Sequence, residues 1–123
     1  MLPCEYRMNF YLDVGHFMGE AYETGHPNRR IHGHTFHGEW VVVDTPNEHG
    51  FVIEAAEAQN VLKRIIEKYD HRLLNEIPGL ENPTTEMLAY SIYNDLKILE
   101  PRTTAVELYR PSVGLRIRYP AKV

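Results

Sequence analysis

His34-Thr35-Phe36-His37-Gly38-Glu39-Trp40-Val41-Val42-Val43-Asp44 holds an unbroken aromatic and β-branched run, Trp40 to Val43, which Thr45-Pro46-Asn47 then stops. Stiff β-branched side chains suit a pleated surface, and a proline-containing turn ends it, so residues 34–44 read as a strand. Upstream, Arg7 to His16 sets Met8, Phe10, Leu12 and Val14 at period two, the spacing of a half-buried strand. Between the two, Glu20 to Ile31 carries Gly25, Pro27 and Asn28 and reads as a loop.

Downstream the period changes. Ala58, Val61, Leu62, Ile65, Ile66 and Tyr69 recur at three- and four-residue intervals over 54–69, an amphipathic helix with Glu54 and Glu57 favourably placed at its positive end. Asn82-Pro83-Thr84 looks like a second helix start, with Thr84 as N-cap. Leu88, Ile92, Leu96 and Leu99 form its buried stripe, and Pro101 stops it. Val106 and Leu108 then alternate with Glu107 and Tyr109, Pro111-Ser112-Val113-Gly114 turns the chain, and Leu115, Ile117 and Tyr119 alternate with Arg116 and Arg118. The order is β-β-α-α-β-β. Strands and helices in runs indicate an α+β fold, an antiparallel sheet with both helices on one face. So small a sheet has two open edges, which pairing with neighbouring subunits would close.

The 123 residues suggest one domain, and 43% hydrophobic residues supply one modest core. A formal net charge of -4 and no basic block make nucleic acid and anionic membranes poor partners. Cys4 is the single cysteine, so no intramolecular disulfide can form. With no basic-then-apolar leader and no apolar run of about 18 residues, the expectation is a soluble cytoplasmic protein.

Seven histidines are the unusual count, and His26, His32, His34 and His37 fall close together. In His32-Gly33-His34 the two imidazoles lie on one face of a strand, roughly 6.5 to 7 Å apart along it. Zinc, with nitrogen ligands at about 2.0 to 2.1 Å, is reached by both if the rings lean inward. His16, ending the first strand, adds a third ligand if the strands pair. Three histidines leave one coordination position open, as in catalytic zinc sites. His-x-His alone is a weak signal, since such pairs also occur on ordinary surfaces.

Two further places admit two readings each. Asp70-His71 follows the first helix, where a histidine can satisfy the last carbonyls or form an acid/base dyad with the carboxylate. Glu107 is either a solvent-facing carboxylate or, if buried, an acceptor for a pair of donors.

Four motifs in order resemble the 6-pyruvoyltetrahydropterin synthase / 6-carboxytetrahydropterin synthase family: His32-Gly33-His34 with His16 upstream, Asp70-His71-Arg72-Leu73-Leu74-Asn75, Asn82-Pro83-Thr84-Thr85-Glu86, and the strand glutamate at Glu107. The resemblance runs from Phe10 to about Tyr119. It implies a T-fold, in which trimers close a barrel from their sheets and two trimers make a homohexamer with active sites between subunits. It further implies zinc at His16, His32 and His34, catalysis by Asp70 and His71, and substrate contacts at Glu107, Thr84, Thr85 and Asn28. The family acts on 7,8-dihydroneopterin triphosphate and yields a 6-pyruvoyl product, or a 6-carboxy product that enters queuosine biosynthesis.

One departure bears on the chemistry. Those enzymes place a cysteine base four residues before the first histidine of the His-Gly-His motif, where this chain has Asn28. Relatives that use glutamate one position later meet Arg29 here, and Cys4 lies outside the motif. A carboxamide cannot accept the proton. The dyad alone, Glu23 or His26 could replace it, or the protein binds a pterin or purine without the family reaction.

Overall fold

The computed structural model describes residues 1–122. Strands β1 (Cys4–His16) and β2 (His32–Asp44) are followed by helices α1 (Ala55–Tyr69) and α2 (Thr85–Leu99), then by β3 (Thr103–Arg110) and β4 (Leu115–Tyr119). The strands form one antiparallel sheet in the order β1-β2-β3-β4. β1 starts three residues before Arg7, the start expected from sequence. Tyr6 extends the period-two series to the edge of the core, whereas Cys4 and Glu5 are exposed and are held by pairing opposite Asp44 and Val43.

Both helices cover the same face of the sheet. Phe10, Leu12 and Val14 of β1, Phe36, Trp40 and Val42 of β2, and Val106 and Leu108 of β3 meet Leu62, Ile65, Leu88, Ile92 and Leu96 in one core. Burying each such aliphatic side chain contributes about 1.5 to 3 kcal/mol. The fully buried Trp40 also needs a polar partner: its Nε1–H donates to Thr103 Oγ1 at 3.0 Å, tying β2 to β3.

Thr84 caps α2 as expected, and Glu54, read from sequence only as an acidic residue of the first turn, proves to be the N-cap of α1. The Glu54 carboxylate accepts from the N–H groups of Ala56 and Glu57, and Thr84 Oγ1 accepts from Met87 N–H. α1 ends as Asp70 N–H donates to Ile66 O, and His71 turns the chain with φ of 57°, a left-handed conformation unfavourable for a side chain with a Cβ. The emerging segment is stitched to β1. His71 N–H donates to Asp13 O at 2.7 Å and Gly15 N–H to Arg72 O at 2.9 Å. Among the described residues no helix is long and apolar enough to cross a membrane.

Candidate metal centre and its cleft

The β1–β2 register sets His16 directly opposite His32 and Val14 opposite His34. All three imidazoles thus project from the helix-covered face at one end of the sheet, and one ligand atom from each lies within 4.8 Å of the others. The tautomers are set by the backbone. His16 Nδ1 is 2.7 Å from Pro83 O and His32 Nδ1 is 2.7 Å from Arg30 O. A carbonyl only accepts, so each Nδ1 carries its proton and each Nε2 presents a lone pair. This is how metal-ligating histidines are oriented. Asn82-Pro83-Thr84 therefore has two tasks, capping α2 through Thr84 and aiming His16 through the Pro83 carbonyl.

The donor set fits a cation. Burial, followed by the charge of Arg110, holds His34 down to about 4, and burial also lowers His16, so these two rings are neutral at pH 7. The Nε2 atoms of His16 and His32 are 2.9 Å apart, near the separation of roughly 3.3 Å between two tetrahedral zinc ligands.

Around the triad is a cleft of about 240 Å³, lined also by Asn28, Thr84 and Thr85, with Tyr22 and Arg110. Six of the nine site residues named from sequence therefore meet at one place. Asn28 sits in a short turn, Pro27–Arg29, where its carbonyl accepts from Met18 N–H and its own N–H donates to His26 Nδ1. Neither Glu23 nor His26, the candidate substitute bases, lines the cleft.

Asp70, His71 and Glu107 are not among its lining residues within one chain. Glu107 sits between the core residues Val106 and Leu108 along β3, so the pleat sends it to the face of the sheet opposite its own chain's triad. There it lies 3.8 Å from each of Arg7 and Arg116 and lines a separate depression with Tyr11, His37 and Tyr109. Asp70 and His71 do form a pair: His71 Nδ1 donates to Asp70 Oδ2 at 2.8 Å while Asp70 Oδ1 accepts from Asp13 N–H. His71 is largely exposed, with its ring 78% accessible. Asn75, closing that motif, bonds in both directions to the backbone of Phe17 and fixes the chain just past His16. Arg110 is the cleft residue that the sequence reading missed. Its signal was parity, for it continues the inward series of Val106 and Leu108.

Fold and triad define the class: an α+β protein with a three-histidine ligand set beside a polar cleft. The chain belongs to the 6-pyruvoyl tetrahydropterin synthase family, whose model matches residues 5–118. It is 30% identical to the 6-carboxy-5,6,7,8-tetrahydropterin synthase of Synechocystis, over 70% of this chain and 80% of that one. Proteins of Archaeoglobus fulgidus and Pyrococcus abyssi, provisionally named for the same enzyme, are 31% and 30% identical, and the matches span 56% and 59% of their lengths. Among solved structures, 6-pyruvoyl tetrahydropterin synthase of Caenorhabditis elegans superposes with a TM-score of 0.85 at 16% identity, covering 99% of this chain and 98% of that one. That of Plasmodium falciparum gives 0.67 at 15% identity, covering 96% and 98%. These establish the shared T-fold.

Proposed function

We propose that this protein is a zinc-dependent lyase acting on the side chain of a dihydropterin, related to 6-carboxytetrahydropterin synthase, with 7,8-dihydroneopterin triphosphate or a related pterin as substrate. The observation that carries this reading is the convergence of His16, His32 and His34, two of them held by carbonyls in the ligating tautomer. Zinc in that place would acidify C–H bonds next to oxygens it binds. Asn28, Thr84 and Thr85 would position the substrate, and Asp70–His71 would move the proton.

Because the dyad is outside its own chain's cleft, this reading has it serve the triad of a neighbouring subunit. The protein would then be a homo-oligomer of single-domain subunits, a hexamer built from two barrel-closing trimers, working in the cytoplasm. The exposed β1 and β4 edges of the sheet support such pairing.

Asn28 favours a second reading, a pterin- or purine-binding homologue without the family reaction, because a carboxamide stands in the cleft where relatives place a base. Incubating zinc-loaded protein with dihydroneopterin triphosphate and with sepiapterin separates the two. Turnover of either supports the lyase; binding without turnover overturns it.

A further inference from the structure

β3 carries its inward-facing series beyond the core, from Val106 and Leu108 to Arg110. The last member shares the cleft with His16, His32 and His34. Its Nε is buried without a hydrogen-bond partner. None of the ion pairs among the described residues includes it, and Glu86, the carboxylate on the cleft's rim, is exposed.

This is an unfavourable arrangement on its own. A buried charged donor left unmade costs more than the neutral case, and a guanidinium beside three metal ligands repels the cation they would hold. An anion lying between guanidinium and metal site removes both penalties together. A planar guanidinium is also the side chain best shaped to grip a carboxylate or phosphate through two parallel N–H bonds. By the same logic, a ligand presenting N–H donors to β3 would face a donor there.

We propose that the cleft takes a ligand bearing an oxyanion, which Arg110 binds while oxygens of the same molecule reach the metal held by His16, His32 and His34. This rests on the triad being a metal site. Under the lyase reading the oxyanion is the phosphate of the pterin side chain, and a carboxylate is the other source of the same chemistry.

Calorimetry on zinc-loaded protein tests it, using dihydroneopterin triphosphate, unphosphorylated dihydroneopterin, inorganic tripolyphosphate and malonate as probes. Arg110→Met keeps the apolar stem and removes the charge. The wild type should bind the triphosphate and tripolyphosphate, and Arg110→Met should weaken both roughly 10- to 100-fold. Dihydroneopterin affinity and zinc content should not change. Arg110→Lys should restore part of the loss and serves alone if the methionine variant fails to fold. A preference for malonate over tripolyphosphate assigns the oxyanion to a carboxylate and keeps the proposal. Equal binding of all anions by wild type and variants, or no anion bound by zinc-loaded wild type, overturns it. Protein that takes up no zinc, yet binds tripolyphosphate in an Arg110-dependent way, overturns the metal reading and leaves Arg110 as the anion receptor.

Discussion

The Nε2 atoms of His16 and His32 face one another across 2.9 Å with both Nδ1 protons committed to backbone carbonyls. A metal cation beside both lone pairs would relieve their repulsion. Protein purified without a histidine tag should therefore carry about one zinc per chain. A ligand bound only by the folded state stabilises it by about 4 kcal/mol at 1,000 times its Kd. Chelation should lower Tm by several degrees, zinc should restore it, and His34→Ala should abolish the response. A chelator-insensitive Tm in metal-free wild type would count against the site.

His71 is held above its usual pKa by its hydrogen bond to Asp70 and then by the carboxylate's charge. Burial pushes Asp70 up, but the Asp13 N–H and His71 outweigh it and leave Asp70 lowered. What the raised histidine contributes to stability is full below its unfolded pKa of about 6.5, and is lost as pH rises through its folded value. What the lowered carboxylate contributes is present above about 3.9 and lost as pH falls through its folded value. The pair is thus strongest between those limits. Asp70→Asn keeps an acceptor for Asp13 N–H and removes the charge. An NMR titration should show His71 moving down toward 6.5 in that variant.

The same histidine occupies φ of 57°. Glycine tolerates that conformation, whereas alanine does not escape its cost of roughly 1 to 2 kcal/mol. His71→Gly should therefore be more stable than His71→Ala by about 1 kcal/mol in urea unfolding. Equal stabilities would mean that the backbone relaxes.

Gly38 is opposite Phe10 in the sheet, and a Cβ there would sit 2.2 Å from the Phe10 ring, which is 2% exposed and has no room to withdraw. Gly38→Ala should cost about 1 to 3 kcal/mol or more by overpacking. The effect should shrink sharply in a Phe10→Ala background, where the clash is gone. An undiminished effect in the double-mutant cycle would assign the cost to β2 itself.

Strand parity explains what the sequence did and did not disclose. Period-two residues in β1 and three- and four-residue spacing in α1 and α2 announce those elements because each buries one face. His16 and His32 could be brought together from sequence once β1 and β2 were taken to pair, since both lie at the ends that meet. Val106 and Leu108 on either side of Glu107 place it off the core face, as their alternation in the sequence already indicates. Arg110, two positions beyond Leu108, was passed over because Pro111 after it reads as the turn. The start of β1 was hidden because Cys4 and Glu5 are paired through backbone alone, with no apolar alternation to mark them.

If the dyad of one subunit serves the triad of another, two inactive variants should complement. His34→Ala keeps a working dyad and His71→Ala keeps a working triad. Co-folding them in equal amounts should recover a substantial fraction of wild-type turnover, while each alone has little. No recovery in verified mixed oligomers would place dyad and triad in the same chain's service.

Asn28 decides between the two functional readings. It lines the cleft with the triad, so a thiol at that place would stand beside the substrate. If substrate binding and zinc are already in order, the missing element is a base, and a general base contributes roughly 10²- to 10⁴-fold. Asn28→Cys should then raise turnover of dihydroneopterin triphosphate by at least 10²-fold, with a pH dependence set by the new thiol. The serine variant, having no thiolate, should remain near wild type. If Asn28→Cys binds zinc and the pterin but shows no gain, proton removal is not what the cleft lacks.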